Sequence, residues 1–155
     1  MRKLTEVEDA KALMTEAMGW SVVKWLSEKK RVRKTADVAN ACLDRLDQEI
    51  KGRWSDQLKA AYSELGGNSG SATQRAHEQP LQDIDPEVKL LAKKLKESDD
   101  EAYRVRMDAE HTFDEAEKQL STRLAREGCQ KAIDSWDLHE QAIRKSEAVI
   151  GATKA

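Results

Sequence analysis

Apolar residues in this chain recur every three or four positions through two long stretches separated by one polar segment. In the first stretch Val7, Ala10, Leu13, Met14, Ala17, Met18, Val22, Trp25, Leu26 and Val32 follow at helical spacing. A clearer seam then runs through Ala36, Ala39, Leu43, Leu46, Ile50, Trp54, Leu58, Ala61 and Leu65. Intervals of three and four over some thirty residues predict α-helix. The second stretch carries Val88, Leu91, Leu95, Ala102, Val105, Ala109, Ala116 and Leu120. Beyond Leu124 the phase shifts to Cys129, Ile133, Trp136, Ile143 and Ile150.

Local signals punctuate these arms. Thr5-Glu6-Val7-Glu8 has the form of a capping box, and so does Ser98-Asp99-Asp100-Glu101. Gly19 reads as a residue tolerated inside a helix, not as a stop. Gly66-Gly67-Asn68-Ser69-Gly70-Ser71 ends the first arm, and Asp85-Pro86 restarts helix with an acidic cap and proline at the first helical position. The expected fold is therefore all-α: an antiparallel bundle of long helices built on a hairpin. Its arms span about 5–65 and 86–150, with kinks or breaks near 34, 98 and 128. The whole of 1–155 reads as a single helical-bundle domain with a flexible loop at about 66–85. Folding about residue 75 sets position i against roughly 150 − i. That register puts Trp54 near Leu95, Trp20 and Trp25 near Cys129, and the basic run at 29–34 opposite 114–119.

Composition narrows the core. Of the 39% apolar residues, 20 positions are alanine, and Leu, Ile, Val and Phe supply only about 18% of the chain. With a net charge of −2, this fits a thin seam between long helices better than a disordered chain. No window of about twenty apolar residues predicts a membrane span, and the N-terminus has no apolar signal-peptide core. A cytoplasmic location is the default expectation. The 2 cysteines, Cys42 and Cys129, are too few for a disulfide scaffold and read as buried thiols.

Chemical signals are sparse. Asp108 and His111 share a helix face, and Asp137 lies close to His139; these four are the candidate metal ligands. Ferritin-like bundles use Glu-x-x-His pairs, which this chain lacks. Arg106 and His111 are similar in spacing to the Arg-x4-His of helical HEPN ribonucleases, at those two positions only. Carboxylates at i, i+3, as in Asp114 with Glu117 and Asp134 with Asp137, are arranged like the magnesium ligands of all-α nucleotide pyrophosphatases. A chain with 29 acidic residues generates such pairs on solvated faces by chance. His77 has no partner at useful spacing, and no nucleophile motif or phosphate loop occurs.

Two features point to binding. Residues 29–34 carry Lys29, Lys30, Arg31, Arg33 and Lys34, five basic side chains in six positions. A pI of about 6.0 and the lack of an aromatic residue in the run disfavour nucleic acid and favour salt bridges between arms. Trp20 and Trp25 lie about 140° apart on a continuous helix, so one face cannot bury both and one is expected at an interface. The reading is a non-catalytic helical interaction or structural module, without cofactor, contacting a protein partner or a second copy through Trp20, Trp25 and the basic run. The alternatives are a metal-binding helical enzyme using Asp108, His111, Asp137 and His139, and polyanion binding through the basic run.

Overall fold

A computed structural model describes residues 4–66 and 84–152, with side chains described to Ile150. Among these residues there are five helices: α1 (Thr5–Ala17), α2 (Val22–Lys51), α3 (Asp56–Glu64), α4 (Pro86–Gln119) and α5 (Thr122–Ala152). They pack as an all-α antiparallel bundle. Most of the expected loop at 66–85, with His77 in it, lies outside the described residues.

Helix runs without a break through residues 34, 98 and 128, where kinks or breaks were expected. The breaks fall elsewhere, and a serine marks each one. At Ser21, Ser55 and Ser121 the hydroxyl accepts a hydrogen bond from the N–H three residues on, in Lys24, Leu58 and Leu124, each at 3.2 Å. These are N-caps, satisfying donors that a new helix leaves open. Gly19 therefore does mark a stop, because α1 ends at Ala17 and α2 begins at Val22. The predicted capping boxes are not used. The N-cap of α1 is Leu4, without a side-chain bond, and Ser98 sits inside α4, where its hydroxyl accepts from Lys145. Asp85 does cap, accepting from the Glu87 N–H at 2.9 Å, with Pro86 first in the helix.

The junction between α4 and α5 turns on Leu120, whose φ of 50° is left-handed. The Ser121 N–H reaches back to the Ala116 carbonyl at 3.1 Å, the long bond of a Schellman turn. Glycine is the usual residue at this position; here it is a leucine, 58% exposed.

The chain divides into two compact units. The first comprises Met1–Leu43 and Glu101–His139, the second Asp44–Asp100 and Glu140–Ala155. In the first unit four helical segments enclose Val7, Met14, Trp25, Val32, Leu43, Phe113 and Trp136, with alanines between them. Trp25 and Phe113 stack at 5.8 Å with their planes 12° apart. Gly128 packs under the same ring, so a β-carbon there would lie 2.8 Å from Phe113 Cδ1. Trp136 Nε1 donates to Asn40 Oδ1 at 2.8 Å, tying α5 to α2 in the interior. In the second unit Trp54, Leu58, Ala61, Tyr62, Ile84, Ala92, Leu95 and Val149 form one core, to which Trp54 also contributes a hydrogen bond from Nε1 to the Ser146 carbonyl at 3.1 Å.

The hairpin register is realised inside each unit. Arg33 pairs with Asp114 at 3.0 Å and Glu117 at 3.3 Å in the first. Lys51 meets Asp99, and Trp54 shares a core with Leu95, in the second.

Candidate functional site

The charged residues that fold into the interior are not those that the sequence singled out. At the end of α2, Asp47 and Lys51 are one turn apart and both are buried. Lys51 Nζ lies 2.8 Å from Asp47 Oδ2 and 2.7 Å from Asp99 Oδ2 on α4. Tyr62 of α3 donates a short hydrogen bond from its hydroxyl to the same Asp99 oxygen. The ammonium also sits 5.0 Å from the Tyr62 ring centroid and 5.9 Å from that of Trp54. Two carboxylates, one ammonium, a phenol and an indole thus share one small volume of the second unit.

The protonation of this cluster is set by its geometry. Burial alone pulls the Lys51 ammonium towards neutrality, but the adjacent charges and hydrogen bonds of Asp47 and Asp99 outweigh it and hold the lysine above its ordinary value. Burial, and then the charge of Asp99, push the Tyr62 phenol well above its usual range. Neither shift is in the direction that activates these groups. A lysine nucleophile or base needs a lowered value, and a tyrosine acid or base works near its pKa. A permanently charged lysine joining three helices is instead suited to fixing which helices meet and at what register.

The sequence-predicted candidates are all found in the first unit. Trp25 is 1% exposed and Trp20 9%, so both are buried, contrary to the expectation that one lies on the surface. A separation of about 140° holds only on continuous helix, and the break before α2 lets both rings turn inwards. Trp20 lies with Lys24 and Arg31 at 5.5 and 5.9 Å from its ring, while the indole N–H of Trp25 has no hydrogen-bond partner among the described residues. Of the basic run, Arg33 reaches α4 and Arg31 pairs with Glu28 at 2.7 Å. Lys29, Lys30 and Lys34 form no ion pair among the described residues, and Lys30 and Lys34 are exposed. Beside them the start of α2 exposes Val22 (38%), Val23 (74%) and Leu26 (37%).

The proposed metal ligands do not converge. Asp108 pairs with Lys131 at 3.3 Å, Asp137 pairs with Lys11 at 2.8 Å, and His111 is exposed while His139 is half-buried. Among the described residues no three His, Cys, Asp or Glu side chains come together to hold a metal ion. Arg106, Arg33, Asn40, Ser135 and Trp136 help line a partly open cavity of about 20 Å³, about the room that one water molecule needs. His111, the other half of the Arg-x4-His spacing, is not among its lining residues.

Sequence reasoning missed the Lys51 cluster, although its parts were visible. Asp47 and Lys51 stand at i, i+4 beside the apolar seam, and the hairpin register sets position 51 against position 99. No known protein family matches the chain, and neither the curated proteins nor the solved structures supply a match.

Proposed function

We propose that this chain is a non-catalytic helical interaction module that binds another protein through the outer face of α2. The observation that carries the reading is the pairing of exposed Val22, Val23 and Leu26 with Lys29, Lys30 and Lys34, lysines without an ion pair among the described residues. Exposed apolar groups set among unneutralised charge give burial for affinity and electrostatics for orientation. Trp20 and Trp25 serve this surface from beneath, as the packing that holds the start of α2 in place. The protonation of the Lys51 cluster supports a role without chemistry.

The test is capture of partners from native extract by immobilised full-length chain, compared with the double variant Val23→Asp/Leu26→Asp. Equal helical circular dichroism and melting temperature establish that the variant folds. The reading expects at least one protein enriched by the wild type and lost by the variant. Capture that is unchanged by the variant removes the α2 surface, and the absence of any enriched protein removes the module. The exposed lysines Lys30 and Lys34 also favour a second reading, polyanion binding. It predicts retention on a polyanion column that falls steeply with salt, and absence of retention at low salt ends it.

A further inference from the structure

The exposed face of α2 extends further than its apolar start. Val23, Leu26, Lys30, Lys34, Val38 and Ala41 are all exposed, at successive intervals of three, four, four, four and three. At 100° per residue they fall within an arc of about 120° and span roughly 27 Å along the helix. Ser27 and Asp37 are also exposed within this arc, Asp37 lying between Leu26 and Lys30 in angle and one turn beyond Lys34 along the helix. The stripe is therefore apolar at both ends, with Lys30 and Lys34 against Asp37 leaving its middle net positive, and its 3–4 spacing is that of a helix surface packed against a second helix. Nothing described in the first unit covers it: Val23 is 74% and Val38 44% exposed. Arg33, on the flank, is neutralised by Asp114 and Glu117, whereas Lys30 and Lys34 on the stripe have no ion pair among the described residues.

We infer that the occupant of this face is an acidic amphipathic α-helix of a partner protein, laid along α2 with carboxylates facing Lys30 and Lys34 and apolar residues facing Val23–Leu26 and Val38–Ala41. The inference rests on the interaction-module reading and names the chemistry of its partner. Charge complementarity selects the occupant. A purely apolar helix would bury two ammonium groups without partners, a cost that acidic residues at the centre of the partner remove. A recognition helix of about five turns matches the length of the stripe.

The test uses full-length protein and two labelled synthetic helical peptides of about twenty residues. Both carry leucines in their outer thirds; one has glutamates in the middle third and the other has lysines there. Fluorescence anisotropy is expected to show the glutamate peptide binding about tenfold or more tightly than the lysine peptide. The double variant Lys30→Glu/Lys34→Glu, on an exposed surface and verified by an unchanged melting temperature, is expected to reverse that preference. Equal binding of both peptides, or a preference that survives charge reversal, overturns the inference. So does depletion of the chain by phosphatidylserine vesicles with no peptide binding, which makes the occupant a membrane surface. Partner capture that needs Val23 and Leu26 but ignores the charge reversal leaves the module intact and sinks this inference alone.

Discussion

Replacing Lys51 with methionine removes the positive charge that Asp47 and Asp99 share. Lys51 is 4% exposed, and its ammonium is within 2.8 Å of both carboxylates. Methionine keeps most of the side-chain volume, so the perturbation is electrostatic and leaves little cavity. Removing one member of a buried ion pair costs about 3–5 kcal/mol, because the desolvated partner charge is left behind. For a slope of about 2 kcal/mol per molar, typical of urea unfolding, the midpoint falls by about 1.5–2.5 M. Urea titration followed by far-ultraviolet circular dichroism reads this directly.

A second variant separates this cost from a general sensitivity of the site. In Asp47→Leu/Lys51→Met/Asp99→Leu neither carboxylate is left without its ammonium. Replacing a whole buried ionic group with packed apolar residues is often neutral or stabilising. The triple variant is therefore expected to recover part of the loss, the remainder being the Tyr62 hydroxyl left without its Asp99 acceptor. A Lys51→Met protein as stable as the wild type would refute the reasoning, because it would mean that the carboxylates reach water and the cluster is not desolvated. A triple variant as unstable as the single one would refute it differently, by showing that the cost lies in packing.

Three further predictions follow from the packing and the titrating groups. Gly128→Ala gains about 1 kcal/mol of helix propensity but forces a β-carbon to within 3 Å of the Phe113 ring, which Trp25 holds in place; thermal melting is expected to show a net loss, whereas Gly19→Ala, whose β-carbon meets only the Glu16 carbonyl at 3.6 Å, is expected to be tolerated. Leu120→Gly relieves a left-handed leucine that buries little, so a gain of about 1 kcal/mol, read as a higher melting temperature, is expected. Cys129 is pushed up to about 12 by burial, and Lys51 and Tyr62 are also raised, so all three hold their protons more tightly when folded. Their stabilisation is complete below the ordinary thiol value of 9.0 and is lost as pH rises through their folded values. Urea midpoints are expected to be flat approaching pH 9 and to fall above it, and a midpoint that rises there contradicts the assignment.

The arms, the helical class and the register were legible because each depends on periodicity summed over many residues. Arg33 with Glu117 and Lys51 with Asp99 meet where a fold about residue 75 places them. The helix boundaries were not legible, because a serine cap is one residue contributing one hydrogen bond. Ser21 resembles any polar interruption until the chain before it is seen to turn. Conversely, Thr5 and Ser98 carry the capping-box pattern without its geometry, since Leu4 is the cap of α1 and α4 runs through residue 98. Once the break before α2 is missed, the tryptophans are misplaced as well: Trp20 and Trp25 were set on one helix and could not both be buried.

The same limit explains why the proposed binding surface was only half visible. Counting charge found the basic run but could not separate its members, because their fates are decided by facing direction. Arg33 turns towards α4 and finds two carboxylates, whereas Lys30 and Lys34 turn outwards and find none among the described residues. The interior shows the opposite outcome for the same kind of side chain. Lys51 is enclosed by two carboxylates and two aromatic rings, and its charge is fully used by the fold. A lysine whose partners are already present contributes to architecture; a lysine without them, set between exposed apolar residues, is where an external carboxylate would be stabilised most. That contrast, and not the abundance of charge, is why the reading of function rests on α2 residues 23–41 and not on the Lys51 cluster.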